Sequence, residues 1–263
     1  MVKSAAVVNV VPEVAPITTL VVCTVVAVST LAALTVEVTP PLVMTIFVET
    51  PTNDAHSFVD KDSVYVPGGG FSGFWFTLGR LRSIPNPETK NFYCYSAGCL
   101  GVVATLSNYT MEEMYGIAYD IQNRWKQGDV GHFNVVEAFL DDLLFGDRSN
   151  SSVFVREDLL ARLNIITTVK GNWFGLNAVV RKPESLAHLH EMLLQTTWIP
   201  YATGGDLWLK DHMDGAFTVA LHPKCEHSVG ISSDLDLVAN IVNVNLGRDK
   251  VEKFYNAGLA LGL

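Results

Sequence analysis

Charged side chains are scarce in this sequence, and those present are mainly acidic. Only 17% of the 263 residues are charged, and 18 lysines and arginines stand against 27 aspartates and glutamates, a formal net charge of −9. A nucleic-acid-binding protein needs a basic surface that neutralises phosphates, so this composition argues against a nucleic-acid partner. Internal repeats and low-complexity tracts are absent too, and the length suffices for one sizeable domain.

Cysteine is also rare, with four residues in all: Cys23, Cys94, Cys99 and Cys225. None of them forms a C-x-x-C pair, and no Cys/His cluster has the spacing of a zinc site. We therefore expect neither a metal nor a cofactor. A disulfide framework is not expected at this count and length, and we interpret the four residues as small buried thiols.

Charge is missing altogether from residues 14–36, which Glu13 and Glu37 bracket. A helix rises about 1.5 Å per residue, so this apolar run can cross a hydrocarbon layer about 30 Å thick. Three interpretations stay open: a single-pass N-terminal membrane anchor, a secretory signal, or a buried strand or helix of the fold. They correspond to a membrane location, the secretory pathway and a soluble protein.

Prolines and polar residues follow the apolar run and indicate a linker, with a domain boundary near Asp60. The predicted organisation is a short tail (1–13), a transmembrane or signal-anchor helix (14–36), a linker (37–59) and a globular domain (60–263).

Strand-like and helix-like segments alternate in the globular domain, which indicates an α/β fold with a mostly parallel sheet. The predicted strands are 63–66, 91–95, 165–169, 177–180, 229–231 and 241–244, and the predicted helices are 74–81, 97–106, 111–126, 135–145, 184–195 and 250–261. In such sheets the functional site forms where strand ends meet helix starts.

Ser96 lies at one of these strand-to-helix turns, in a near match to the G-x-S-x-G nucleophile elbow. The sequence there is C-Y-S-A-G, with Cys94 at the position of the first glycine and Gly98 at the second. A serine in such a turn takes a strained backbone conformation that projects its hydroxyl above the sheet. The residues two before and two after it come close together, so both must be small.

A glycine-rich loop, G-G-G-F-S-G, precedes the elbow by about 25 residues and contains Gly68, Gly69, Gly70 and Gly73. As G-x-G-x-x-G it is compatible with a dinucleotide site, but the acidic residue expected about 20 residues on is represented only by Glu88, in a proline-bounded turn. The alternative use of such a loop is to direct backbone N–H groups at an oxyanion.

A serine nucleophile needs a base within hydrogen-bond reach, and the sequence offers two arrangements. Asp214, in the motif Asp214-Gly215-Ala216, can act directly. Alternatively, Asp214 orients His222 or His227, in the chain order of an α/β-hydrolase triad. Sequence spacing does not separate the two.

These elements together resemble the patatin-like phospholipase family. The chain reads G-G-G-F-S-G-F-W, then C-Y-S-A-G-C-L-G, then M-D-G-A, and residues 195–201 (Q-T-T-W-I-P-Y) are similar to the family's small-residue-then-proline segment. Two positions depart from the family pattern: Cys94 replaces the first glycine of the elbow, and Ala216 replaces the last glycine of D-G-G.

The resemblance implies a three-layer α/β/α fold and a lipid acyl hydrolase. Ser96 would be the nucleophile, Asp214 the proton acceptor, and Gly68, Gly69 and Gly70 the oxyanion hole. The implied partners are a phospholipid or acylglycerol substrate and a membrane or lipid-droplet surface. Two alternatives remain: a non-catalytic lipid-binding or regulatory protein with the same fold, and a Ser-Asp-His esterase of the α/β-hydrolase type.

Overall fold

The structure is a computed structural model of the chain, and it describes residues 59–146, 160–171, 175–230, 232 and 234–262. The predicted tail, the apolar run and all of the predicted linker except residue 59 lie outside the described residues. Within the part described, no helix is both long and apolar enough to cross a lipid bilayer.

Short strands alternate with helices along the described chain. The strands are β1 (Ser63–Val66), β2 (Asn91–Cys94), β3 (Leu163–Lys170), β4 (Leu176–Arg181), β5 (His212–Asp214) and β6 (His227–Ser228). The α-helices are α1 (Gly70–Leu81), α2 (Ala97–Leu106), α3 (Met111–Gln127), α4 (Val135–Phe145), α5 (Leu186–Thr196), α6 (Leu235–Ala239) and α7 (Arg248–Leu261). Short 3₁₀ helices cover Pro87–Thr89, His132–Asn134 and Gly215–Leu221.

The six strands form one mixed sheet in the order β4-β3-β2-β1-β6, with β5 paired to β3. Strands β3, β2, β1 and β6 run parallel to their neighbours, whereas β4 and β5 are antiparallel to β3. The predicted α/β domain with a mostly parallel sheet is therefore confirmed.

The two faces of the sheet are packed differently. On one face Val64, Phe92 and Ile165 belong to the main hydrophobic core, which also contains buried side chains from each of the seven α-helices. On the other face Tyr93 and Ile166 belong to a small cluster in which none of the described helices takes part.

Helix α2 lies in the middle of the main core, and its composition explains its position. Nine of its ten residues are buried, because the helix itself carries small and apolar side chains on all of its sides. The amphipathic α3, in contrast, lies at the surface. A capping box between Thr110 and Glu113 begins it, and Gly128 in a left-handed conformation ends it.

Strand β3 has two partners along one of its edges, and this pairing positions the candidate site. Strand β2 pairs with the first part of β3 and stops at Cys94, opposite Ile165. The short antiparallel β5 then occupies the same edge, with Asp214 opposite Thr167. Asp214 therefore lies just beyond the carboxyl end of β2, where Ser96 follows.

The structure corrects three of the predicted elements. Helix α1 begins at Gly70, four residues earlier than predicted, so its first residue belongs to the glycine loop. The predicted strand 229–231 is replaced by β6, immediately before it. The predicted strand 241–244 is wrong: these residues form turns and bends, and the Ile241 carbonyl accepts a hydrogen bond from the Phe71 amide in the first turn of α1 (2.8 Å).

Candidate active site

Ser96 connects β2 to α2 in a backbone conformation that residues other than glycine rarely adopt. Its φ is 53° and its ψ is −141°. Such strain persists only where the surrounding structure enforces it, and it is typical of a nucleophile at a strand-to-helix turn. Because the helix begins at Ala97, the positive dipole end of α2 and the amide of Ala97 lie beside the serine.

The close packing around the elbow explains why Gly98 is a glycine. A Cβ atom at this position would lie 2.4 Å from the Pro67 carbonyl oxygen and 2.6 Å from that of Val66, which follow or end β1. Any side chain at position 98 would push α2 away from the sheet. The sequence-based reason for a small residue at this position is therefore supported by the geometry.

The interpretation of Cys94 and Cys99 as thiols is wrong, because the two residues form a disulfide with a Cα–Cα distance of 5.0 Å. Cys94 ends β2 and Cys99 lies in the first turn of α2, so the bond closes the elbow around Ser96. Both residues are fully buried. Of the other two cysteines, Cys225 is a free thiol, and Cys23 lies outside the described residues.

Asp214, the predicted base, is fully buried, with 0% of its surface exposed. Its Oδ1 accepts a hydrogen bond from the Ala216 amide at 2.8 Å, and its Oδ2 has no hydrogen-bond partner among the described residues. Burial raises the pKa of Asp214 to about 7, although the Ser96 hydroxyl and the Ala216 amide both act to lower it.

Ser96 is thus near enough to lower the pKa of Asp214, yet no hydrogen bond of normal length joins the two side chains. Catalytic hydrogen bonds are often long before a substrate binds and shorten in the reacting complex. The structure therefore brings the predicted nucleophile and the predicted base together, with one oxygen of the carboxylate uncommitted.

The end of α5 and the residues after it hold both members of this pair by their backbones. The Ser96 amide donates to Thr196 Oγ1 (3.0 Å), and the same hydroxyl donates to the Ile166 carbonyl (2.6 Å). Two residues on, the Trp198 carbonyl accepts a hydrogen bond from the Asp214 amide (2.9 Å). The segment 195–201 was singled out in the sequence, but this anchoring by Thr196 was not predicted.

The amides of the first residues of the glycine loop are not used in the backbone hydrogen bonding of the part of the fold that the structure describes. A Cβ atom at Gly68 would lie 2.5 Å from the Ser96 Cβ, so only glycine fits there. Among the described residues, the amides of Gly68, Gly69 and Gly70 have no backbone acceptor. Together with the amide of Ala97 at the start of α2, they are candidate oxyanion donors.

Steric constraints differ at the other two glycines of the loop. Gly70 has a φ of +61°, and a Cβ atom there would lie 2.2 Å from the Ile241 carbonyl oxygen, so this residue anchors the loop. At Gly73 nothing lies within 4 Å of such an atom. The packing around Gly73 therefore does not by itself require glycine at this position of the motif.

The geometry also accounts for the departure from D-G-G. Gly215 is packed so tightly that a Cβ atom would lie 2.6 Å from the Tyr95 Cβ and 2.8 Å from the Ile166 carbonyl oxygen. Ala216, in contrast, is exposed. A methyl group at position 216 therefore meets no obstacle, whereas one at position 215 would displace the turn that carries Asp214.

Neither histidine considered as a base is bonded to Asp214. His222 Nε2 lies 3.0 Å from the Gly215 carbonyl oxygen, and its Nδ1 lies 2.7 Å from the Tyr65 hydroxyl. Burial lowers the pKa of His222 to about 4. His227 is exposed in β6. No local sequence pattern indicates the position of His222, because one of its partners is distant along the chain and the other is a backbone atom.

Among the described residues there is no group of three or more His, Cys, Asp and Glu side chains that could hold a metal ion. Comparison of the chain with protein families, with curated proteins and with solved structures found no match. Any function assigned to it therefore depends on its own residues.

Proposed function

We propose that the protein is a lipid acyl hydrolase of the patatin-like type, in which Ser96 is the nucleophile and Asp214 is the general base. The observation that carries the proposal is the pairing of a serine in a strained elbow conformation with a buried carboxyl group whose pKa is raised to about 7. A carboxyl group with a pKa near 7 is partly deprotonated at neutral pH, so it can accept a proton. Its protonated form is acidic enough to return that proton later in the reaction.

The reaction proceeds in two steps. Asp214 accepts the proton of the Ser96 hydroxyl while Oγ attacks the acyl carbonyl, and the amides near Gly68 bind the resulting oxyanion. The leaving alcohol takes the proton from Asp214, and an acyl-enzyme remains. Water then gives a proton to Asp214 and attacks the acyl group. The carboxylic acid leaves, and Ser96 regains its proton.

The substrate class belongs to the same proposal. The resemblance to the patatin-like family favours acyl esters of phospholipids or acylglycerols, presented at a membrane or lipid-droplet surface. A three-layer α/β/α arrangement also follows from the resemblance. It would need helices over the sheet face that carries Tyr93 and Ile166.

Labelling with a fluorophosphonate probe tests the nucleophile directly, because the probe reacts with activated serines and not with ordinary ones. We expect the wild-type protein to be labelled and Ser96→Ala to be unlabelled. Ser107→Ala is the matched control, since this buried serine follows the other end of α2. Labelling of Ser96→Ala at the wild-type level would assign the reactive serine elsewhere.

The pH dependence of kcat/KM on a short-chain ester separates the two candidate bases. A base must be deprotonated to act, so the rate rises as pH increases through its pKa. With Asp214 as the base, the midpoint of this rise lies near pH 7. With His222 it would lie near pH 4. A folded protein that neither reacts with the probe nor hydrolyses the ester would contradict the hydrolase proposal and favour the non-catalytic alternative.

A further inference from the structure

His222 lies at the end of the turn that begins with the candidate base. The 3₁₀ helix Gly215–Leu221 follows Asp214 directly, and His222 comes next in the chain. Its ring folds back so that Nε2 lies 3.0 Å from the Gly215 carbonyl oxygen. The side chain thus closes the segment onto its own beginning.

The partners of the ring fix the direction of both hydrogen bonds. A carbonyl oxygen only accepts, so His222 Nε2 carries the hydrogen and donates it to Gly215. In a neutral ring Nδ1 is then the acceptor, and the Tyr65 hydroxyl donates to it at 2.7 Å. This assignment of the hydrogen follows from the partners on the two sides.

The ring is held in this orientation by aromatic neighbours as well as by hydrogen bonds. The Tyr95 ring packs edge-on against His222 with centroids 5.1 Å apart, and the Tyr65 ring does so at 5.8 Å. These two tyrosines are the titratable groups whose rings contact His222, and burial raises the pKa of Tyr65 above its ordinary value. Burial lowers the pKa of His222 to about 4, so the imidazole is neutral near pH 7.

The peptide between Gly215 and Ala216 connects His222 to the base. Its carbonyl oxygen accepts the hydrogen bond from His222 Nε2, and its N–H group donates to Asp214 Oδ1 at 2.8 Å. A hydrogen bond to the oxygen of a peptide polarises its N–H group and strengthens the bond that this group donates. His222 therefore acts on Asp214 through one rigid peptide unit.

We propose that His222 is a positioning residue, which orients the Gly215–Ala216 peptide and through it the Asp214 carboxylate. This role rests on the proposed function of Asp214 as the base. It differs from the histidine of a Ser-Asp-His triad, because His222 holds the carboxylate in place and takes no proton from Ser96.

His222→Phe tests the role, because it keeps a buried ring and removes the donor. The hydrogen bond from Ala216 to the charged carboxylate should weaken, so the rising limb of the kcat/KM profile should move to higher pH. At pH 7 we expect a loss in kcat of about threefold to tenfold, the usual effect of one neutral hydrogen bond. His222→Gln restores a donor at the Nε2 position and should recover most of this loss.

One control variant and the comparison of the two His222 variants separate positioning from other effects. His227→Phe changes an exposed histidine of β6 and should leave the profile unchanged. A folded His222→Phe protein with the wild-type limb and kcat would overturn the proposal, as would equal losses in the Phe and Gln variants. Loss of activity as complete as in Ser96→Ala, in both variants, would make His222 the base.

The wild-type protein offers a test that needs no variant and no substrate. Two-dimensional ¹⁵N spectra of the histidine rings report which nitrogen carries the hydrogen. We expect His222 to be neutral and protonated at Nε2 from pH 5.5 to pH 8. A hydrogen on Nδ1 in this range would contradict the positioning role, even if Ser96→Ala and Asp214→Asn establish the proposed function.

Discussion

At Asp214, burial and hydrogen bonding act in opposite directions. Burial favours the neutral carboxyl group, and the Ala216 amide favours the charged one, but burial is the larger effect. An uncompensated buried charge lowers the stability of the folded protein. A residue that lowers stability in this way is retained when its chemistry requires it. The strained backbone of Ser96, with a φ of 53°, is a second feature of the candidate site that lowers stability.

Replacement of Asp214 by Asn should stabilise the fold while it removes activity. From pH 3.8 to about 7 the folded protein holds a proton on Asp214 that the unfolded chain has released, so wild-type stability falls as pH rises through this window. Asn does not titrate. Its advantage should therefore grow from pH 4 to pH 8 and reach about 2–4 kcal/mol.

Denaturant unfolding of both proteins at several pH values measures this difference. Asp236→Asn is the control, because Asp236 is at the surface and its pKa is lowered by Lys253 and Lys250. That substitution should show no gain that grows with pH. An Asp214→Asn protein less stable than wild type at pH 8 would show that the carboxylate is better compensated than its surroundings indicate.

The disulfide between Cys94 and Cys99 joins two elements, the end of β2 and the first turn of α2. A bond across a loop this short lowers the entropy of the unfolded chain and so raises the free energy of unfolding by about 2 kcal/mol. Cys94→Ala and Cys99→Ala should each lower the stability by this amount, and the double variant should lose little more, because the two side chains form one bond.

A reducing agent provides the corresponding measurement. It should lower the thermal midpoint of the wild-type protein. It should lower that of Cys225→Ser as well, because Cys225 is a free thiol and takes no part in the disulfide. The two alanine variants should be insensitive to it. A wild-type midpoint that does not respond to prolonged reduction would indicate that the bond adds nothing to stability.

Local sequence patterns predicted those elements whose formation depends on neighbouring residues. The strand Ser63–Val66 and the helices Ala97–Leu106 and Val135–Phe145 have the predicted bounds, because composition and periodicity are properties of the segment itself. Ser96 and Asp214 were identified from short motifs, and the structure places them side by side.

Several features that depend only on distant partners were not predicted. The strand β5 was missed because three residues pair only where β3 offers an edge. The segment 241–244 has the alternation of a strand, but its carbonyl at Ile241 caps a helix instead. The roles of Thr196 and His222, likewise, come from contacts that no local pattern encodes.

At the scale of the whole molecule, the interpretation of residues 14–36 as a membrane anchor can be tested. One lysine in the middle of a membrane-spanning helix costs about 2.5–3.5 kcal/mol of insertion free energy. The double substitution of Val22 and Val26 by Lys should therefore move the full chain from the carbonate-resistant membrane fraction to the soluble fraction, with esterase activity retained.

Thr52→Lys is the matched control, since it adds a charge in the predicted linker and should not change the fractionation. Wild-type protein recovered in the soluble fraction would remove the anchor interpretation. A shortened wild-type protein in the secreted fraction would replace it with a cleaved signal.

The pairing of β5 with the outer part of β3 has a consequence for how the protein loses activity. Three residue pairs hold β5, whereas the main core holds β1, β2 and the helices. Local opening of so short a strand requires much less free energy than global unfolding. Inactivation by mild denaturant should therefore precede the loss of secondary structure, and the amide of Asp214 should exchange its hydrogen with solvent sooner than the amides of β2.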